Sequence, residues 1–456
     1  MAFDVKGKRV MVCGMARSGI AAAKLLCELG AKVTINDMKA ESAFDGALSF
    51  LRDMGCVFAL GEKPDAYIPG QDLMIISPGI AWAKDFVQSA LALGVEVIGE
   101  LELGARLSRG TLCAITGTNG KTTTTTLVGE ILRAAGHRTH VVGNIGYPIT
   151  ATAGISADSD MTVAEVSSYQ CESICAFYPH VGAVLNITED HLARHGDMQT
   201  YIAMKRRIFA HQTAEDTAVF NYDDATCREM AVGLKSRIAW FSRKEKVTCG
   251  AYVEAGQIML NMGDGPKAVC PAQEVFIPGP HNLENALAAV AITGALGVDP
   301  AVMADVLRTF RGVEHRIETV RVLDGVTWIN DSKGTNVDST QKAIDTMTRP
   351  TVLILGGSDK KTTFDPLAES IAASGQIKHC VLIGDTAEQI ADSLARVGYT
   401  AVTKAGYDFD ACIALCREKA AAGGCVLLSP ACASFDMFKD YEDRGRIFKE
   451  KVMALV

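Results

Sequence analysis

No apolar run in the chain reaches the roughly 18 residues needed to cross a bilayer, and the opening MAFDVKGKRVMVCG has no basic stretch followed by an apolar core and cleavage site. A cytoplasmic protein without membrane insertion is expected. An excess of positive charge is also missing. The 45 Lys and Arg are outnumbered by 53 Asp and Glu, for a net charge of −8. A surface that grips a phosphate backbone needs Lys and Arg stripes that would reverse this balance, so no nucleic-acid partner is expected. Low-complexity tracts are absent apart from one threonine run, and apolar residues make up 48%, which excludes disordered and fibrous classes. None of the 14 cysteines forms a CxxC pair, and several lie in apolar strands such as Val12-Cys13 and Gly424-Cys425-Val426. Buried free thiols are expected rather than disulfides or zinc ligands.

What is present reads as about three domains, since 456 residues exceed one compact core. The stretch KRVMVCGMARSGIAAAKLLCELGAKVTIND is a strand, a glycine turn, a helix and a second strand ending at Asp37. Gly14 and Gly19 approximate a dinucleotide fingerprint, but Ala16 and Arg17 stand where a strict GxGxxG needs glycine. Asp37 occupies the place of a ribose-binding acid, and DLMIIS runs into Ser77 at a second strand end. Residues 1–98 are therefore expected to bind something nucleotide-like, with ordinary packing turns as the alternative. After the helical connector GELELGARLSRG, strand signals at TLCAIT, HVVG, DMTVAEV, HVGAVLNI and TAVFNYD define a block over 99–312. Three strand-turn-helix signals, TVLILGGSDK, HCVLIGDTAEQI and GCVLLSPACASFDMF, define the last block, 313–456. The fold class is α/β: three successive domains, the outer two Rossmann-like and the central one of P-loop ATPase type.

The stretch ITGTNGKTTTTTL carries the chemistry. A common phosphate loop, GxxxxGK[ST], would place glycine where Ile115 stands, and here the spacing is Gly117-Thr118-Asn119-Gly120-Lys121-Thr122. The physics survives the shortening. Glycines let backbone N–H groups turn toward phosphate oxygens, Lys121 adds a positive charge, Thr122 offers a hydroxyl to Mg²⁺, and a helix starts there with its positive end. ATP with Mg²⁺ is the expected ligand. Thr123 to Thr126 are not there for helix propensity, because β-branching restricts χ1. They either bond their own backbone carbonyls or touch phosphate. Mg²⁺ prefers hard oxygen ligands, and Glu165 and the run Glu189-Asp190-His191 each follow a strand. Lys205, in YIAMKRRIFA, reads by itself as a surface lysine.

In order along the chain, TGTNGKTTT, NITEDH, HNLENALAA and EHRIE resemble the Mur ligase family, the ATP-dependent amide-forming ligases of peptidoglycan precursor synthesis. The resemblance covers nearly the whole chain. The motifs SSYQ, NDSKGTN, LGGSDKK and SPACASFDMF are similar to those of the family branch that takes D-glutamate. The resemblance implies UDP-N-acetylmuramoyl-L-alanine and D-glutamate as substrates, with an acyl phosphate between them. It implies catalytic roles for Lys121, Glu165, His191 and Lys205. ATP would be held by Gly117 to Thr123, Asn282, Asn285, Arg316 and Asp331. Thr122 and Glu165 would hold one metal ion, and Glu165, His191 and Lys205 a second. Lys205 would carry a CO₂-derived carbamate, with Arg206 and Arg207 as adjacent cations. UDP would meet Arg17, Ser18, Asp37, Met38, Lys39 and Ser77, and Asn144 and His191 would reach the muramoyl end. D-Glutamate would meet Lys333, Thr335, Lys360, Ser434 and Tyr441. One departure stands out: Ala193 occupies a position that is often acidic in the family. A monomer is expected. A family ligase for another amino acid, and a P-loop nucleotide switch, are the alternatives.

Overall fold

The computed structural model describes residues 3–44, 46–358 and 363–456. The first sheet comprises β1 (Arg9–Cys13), β2 (Lys32–Asp37), β3 (Val57–Leu60), β4 (Leu73–Ile76) and β5 (Glu96–Gly99), all parallel, in the order β3-β2-β1-β4-β5. The order reverses between β1 and β4, and ligands of open α/β sheets bind at the strand ends of such a switch point. Strands such as β4, Leu-Met-Ile-Ile, are buried throughout, as a sheet covered on both faces requires.

The second sheet holds β6 (Thr111–Thr116), β7 (Thr139–Gly143), β8 (Met161–Glu165), β9 (Val181–Val184), β10 (Thr217–Asn221), β11 (Arg237–Ser242), β12 (Gly250–Glu254), β13 (Gln257–Asn261) and β14 (Lys267–Pro271). Its order is β14-β13-β12-β11-β10-β9-β6-β8-β7, so β6 lies between β8 and β9, and the last three strands pair antiparallel. This antiparallel extension is poorly marked in the sequence. Its two-residue turn is Ala255-Gly256, with φ of 50° and 78°. Asn or Asp is the usual first residue of a turn that needs two positive φ values, and alanine conceals it.

The third sheet holds β15 (Glu318–Leu323), β16 (Val326–Asn330), β17 (Thr351–Gly356), β18 (Ile377–Ile383), β19 (Val402–Gly406) and β20 (Cys425–Leu428), in the order β15-β16-β20-β17-β18-β19. Two of the three expected strand-turn-helix signals here lead into helices, Asp365–Ser374 and Ala387–Arg396. The third differs. No helix follows β20 until Tyr441–Ala454, because Pro430 and Ala431, whose φ is 61°, turn the chain into an irregular segment. The chain divides into two compact units, Met1–Phe310 with the first two sheets and Arg311–Val456 with the third. No helix among the described residues is long and apolar enough to cross a membrane. The cysteines are free and most are buried, as expected.

Within the first unit, helix Glu100–Leu107 joins the first two sheets through two buried acids. Glu102 accepts from Arg106 Nε at 2.6 Å and from the amides of Cys175 and Ala176 at 3.0 and 2.8 Å. Glu100 accepts from the amide and hydroxyl of Thr150 at 2.9 and 2.6 Å. Burial pushes the Glu100 carboxyl up to about 7, against the pull of both Thr150 bonds. The folded state therefore holds this proton more tightly than the unfolded chain does, and stability falls as pH rises from the unfolded value toward 7. Glu100→Gln, which keeps an acceptor for Thr150, is expected to gain about 1–3 kcal/mol at pH 8 and nothing at pH 4. Thermal melts at the two pH values check this, and an equal shift at both would refute it.

Candidate active site

Strand β6 feeds directly into the glycine loop, and helix Lys121–Ala134 follows it. Gly117 and Gly120 have φ of 146° and 82°. A Cβ on Gly120 would stand 2.2 Å from Asn285 Oδ1, so glycine is required there for space as well as for backbone angle. The loop is held by Asn186, which sequence reasoning did not single out although it lies in NITEDH. Its carbonyl accepts from Thr118 N at 2.9 Å, its Oδ1 accepts from Asn119 N at 2.9 Å, and its Nδ2 donates to Asn119 O at 3.1 Å. Thr118 and Thr188 close the same join, with Thr188 N donating to Thr118 Oγ1 at 3.0 Å. Lys121 Nζ donates to the carbonyls of Gly117 and Thr118 at 3.0 and 2.7 Å.

The threonine run divides by orientation. Thr122 and Thr123 are buried in the first helical turn. Thr124 donates to Asn285 Oδ1 at 3.3 Å, and Asn285 Nδ2 donates to Asn282 Oδ1 at 3.2 Å. Both expected adenine-side asparagines, on helix Pro280–Ala295, are thus coupled to the phosphate-loop helix. Thr126 bonds back to Thr122 O at 2.9 Å, the local alternative expected for it.

Glu165 ends β8, one strand over from the loop, and is buried. Its Oε1 accepts from Asn144 Nδ2 at 2.8 Å, and its carbonyl accepts from Asn144 N at 2.9 Å. Lys205 is not the surface residue its sequence context suggests. It is 1% exposed, with Nζ 2.8 Å from Gly117 O and 4.6 Å from the centroid of the Tyr201 ring. Burial, with a smaller contribution from the Lys121 charge, pushes its pKa down to about 7. Arg206 and Arg207 are not the nearby cations. Arg206 donates to the carbonyls of Met230 and Val232, and Arg207 to those of Glu172 and Ile174. His191 adopts φ 56°, with Nδ1 3.0 Å from the Tyr169 hydroxyl and Nε2 3.3 Å from Asp190 Oδ2.

The donors fit Mg²⁺ in kind: a buried carboxylate at Glu165 and a buried hydroxyl at Thr122. Lys205 fits only once it is no longer an ammonium. Among the described residues, a compact group of potential ligand atoms occurs elsewhere, at Glu314, His315 and Glu318. There Lys449 Nζ lies 2.7 Å from Glu314 and 2.8 Å from Glu318, so an ammonium already balances the acids.

In the first sheet, the expected UDP residues gather at the switch point. Asp37 accepts from Met15 N at 2.7 Å and Lys39 N at 2.9 Å, so its carboxylate shapes the glycine turn. Ser77 donates to Gly14 O at 2.8 Å. Arg17 and Ser18 begin helix Arg17–Glu28, and Met38 and Lys39, directly after β2, are exposed.

In the second unit, Asp331 is buried and accepts from Ser429 Oγ at 2.6 Å and Ile317 N at 3.2 Å. Burial raises its pKa to about 6, while the Ser429 bond and the Arg316 charge oppose the shift. Lys333 Nζ stands 5.8 Å from the centroid of the Tyr441 ring. Ser434 Oγ is buried with no hydrogen-bond partner among the described residues. Thr335 lies on the same loop as Lys333, and Lys360 lies outside the described residues. Arg444 was missed by sequence reasoning. Fully buried, it donates to Ser332 Oγ and O at 2.9 and 2.8 Å and to Cys432 O at 3.2 Å, tying the Lys333 loop to the Ser434 loop. Burial lowers its pKa to about 10, still well above neutrality, so the tie remains charged. An arginine amid the charges of DYEDRGRIFKEK gives no sign of this in the sequence.

Three family models match successive parts of the chain. Residues 8–99 match the Mur ligase MurD-like N-terminal domain, 115–293 the Mur ligase middle domain, and 315–432 the Mur ligase glutamate ligase domain. Over 454 residues the chain is 45% identical to the UDP-N-acetylmuramoylalanine–D-glutamate ligase of Alkaliphilus oremlandii, with 99% of each chain covered. It is 44% identical to the ligase of the same name from Clostridioides difficile, covering 99% of this chain and 100% of the relative. Among solved structures, the UDP-N-acetylmuramate-alanine ligase of Thermotoga maritima superposes with a TM-score of 0.62 at 18% identity, over 98% of this chain and 99% of its own. At that identity the likeness establishes the fold.

Proposed function

Because this chain belongs to the Mur ligase family, we propose that it is the ATP-dependent ligase that joins D-glutamate to UDP-N-acetylmuramoyl-L-alanine in peptidoglycan precursor synthesis. The observation that carries this reading is the phosphate loop with the near-neutral amine of Lys205 buried against it. The alanyl carboxylate of the substrate is a poor electrophile, because its charge repels nucleophiles. Transfer of the γ-phosphoryl group of ATP to it removes that charge, supplies a leaving group and releases ADP. The D-glutamate amine then adds to the acyl carbon, the tetrahedral intermediate expels phosphate, and the amide forms as the nitrogen gives up its surplus protons.

The loop amides from Gly117 to Thr122 and the helix start face the phosphates, and Lys121 exchanges the carbonyls of Gly117 and Thr118 for phosphate oxygens. Thr122 and Glu165 would hold one Mg²⁺ and Glu165, His191 and the modified Lys205 a second, which would add neutralising charge beside the crowded oxygens. A neutral Lys205 amine adds to CO₂ and loses a proton, which turns a cation into an anionic oxygen ligand. Asn282 and Asn285 face the adenine, with Arg316 and Asp331 toward phosphate and ribose. Arg17, Ser18, Asp37, Met38, Lys39 and Ser77 take the UDP group, and Asn144 and His191 the muramoyl end. Lys333, Thr335, Lys360, Ser434 and Tyr441 receive D-glutamate, two cations matching its two carboxylates.

The test is incubation of UDP-N-acetylmuramoyl-L-alanine and ATP with a panel of amino acids, reading phosphate release and product mass. D-Glutamate is expected to give product and the L-isomer and D-aspartate little or none. Equal incorporation of both glutamates would remove the stereospecific assignment. Phosphate release without any amino acid would favour a nucleotide switch.

A further inference from the structure

Of the motifs singled out in the sequence, SSYQ has no assigned task. Its tyrosine is fixed on three sides. The short helix Ser168–Cys171 is closed by a capping box, with Gln170 N donating to Ser167 Oγ at 3.3 Å and Ser167 N to Gln170 Oε1 at 2.9 Å. The Arg194 guanidinium lies 4.8 Å from the Tyr169 ring centroid. It is itself held by Glu172 through bonds of 2.9 and 2.7 Å, and it donates to Ile80 O at 3.2 Å, on the first sheet's side of the unit. The third side is His191. Its ring centroid is 4.9 Å from that of Tyr169, and the phenol oxygen is 3.0 Å from Nδ1.

A neutral imidazole has one N–H and one bare nitrogen. Nε2 stands 3.3 Å from a carboxylate oxygen of Asp190, which favours the hydrogen on Nε2. Nδ1 is then an acceptor, and the phenol O–H donates to it. A role for Nε2 as a ligand needs the opposite tautomer, in which Nε2 is bare and Nδ1 carries the hydrogen. One proton then leaves Nε2 and one arrives at Nδ1, while the phenol stays neutral. Its hydroxyl can follow by rotating from donor to acceptor, which a phenylalanine could not do. Outer partners of ligating histidines commonly fix ring orientation and tautomer in this way.

We propose that Tyr169 is the positioning residue of His191, holding the imidazole through Nδ1, to which its phenol donates in the ligand-free chain. The inference rests on the functional reading above only in placing His191 at the reacting centre. Its test is direct observation of the ring nitrogens in the full chain labelled with ¹⁵N-histidine, with His191→Gln to assign the resonances. Without ligands, His191 is expected to show a protonated Nε2 and a bare Nδ1. In Tyr169→Phe, both nitrogen shifts are expected to move toward tautomeric averaging. The variant should also lose about tenfold in kcat, with KM for ATP within about twofold. Unchanged nitrogen shifts in Tyr169→Phe, or a protonated Nδ1 in the ligand-free chain, would overturn the proposal. Failure of the functional reading would look different: the unsubstituted protein would release no phosphate in response to D-glutamate, whatever the histidine spectrum showed.

Discussion

Lys205→Ala is expected to lower D-glutamate-dependent phosphate release on the order of 10³-fold or more, with partial recovery when acetate is added. The residue is 1% exposed, and burial together with the Lys121 charge brings its amine to about 7. Near neutrality, a substantial fraction is therefore unprotonated and able to add CO₂. An exposed lysine near 10.4 would be neutral in fewer than about one molecule in a thousand at pH 7. Acetate supplies the missing carboxylate oxygens in the space the side chain leaves. The same shift carries a stability consequence in CO₂-depleted buffer. The unfolded chain binds this proton more tightly than the folded one, so stability rises as pH climbs from about 7 toward the unfolded value of 10.5. Lys205→Met, which fills the volume without the nitrogen, should lose that slope along with the activity. Turnover assays with and without acetate, and melts across that pH range, check both parts. Full activity in Lys205→Ala would remove the residue from the site.

Gly120→Ala is expected to raise KM for ATP and lower kcat/KM on the order of 10²-fold, while the protein still folds. Two costs add. The backbone at φ 82° disfavours any Cβ by ~1–2 kcal/mol. The new methyl would also stand 2.2 Å from Asn285 Oδ1, an atom already engaged by Thr124. The loop or Asn285 must shift, and either movement displaces the loop amides proposed to meet the phosphates. Gly136, with φ 90° and nothing within 4 Å of the point where a Cβ would stand, is the control: alanine there carries the backbone strain alone. Nucleotide affinity measured on both variants separates the terms, and equal affinities in the two would refute the steric argument.

Much of the fold could be read because its signals are local. Apolar strands followed by glycine turns and helices mark the parallel sheets, and the loop from Gly117 to Thr122 declares its chemistry through spacing alone. The Ala255-Gly256 hairpin and the long irregular segment after β20 escaped, since an alanine occupies a left-handed position in each. The site was legible where a residue's role depends on its neighbours in the chain. Arg444 and Asn186 show the opposite case, as does Lys205 once the family resemblance is set aside. As sequence, each is an ordinary polar residue on or near a helix or loop. What distinguishes them is the company brought by distant segments: Gly117 O beside Lys205, Ser332 and Cys432 around Arg444, and Asn119 against Asn186.

The sequence by itself determined the α/β class, the phosphate loop and the family, and it named the groups expected at the site, because these depend on residue type and short-range order. Only the tertiary structure decided which of those groups change their chemistry. Desolvation and charge proximity set the proton affinity of Lys205, Asp331 and Glu100, and both are properties of atoms packed from remote parts of the chain.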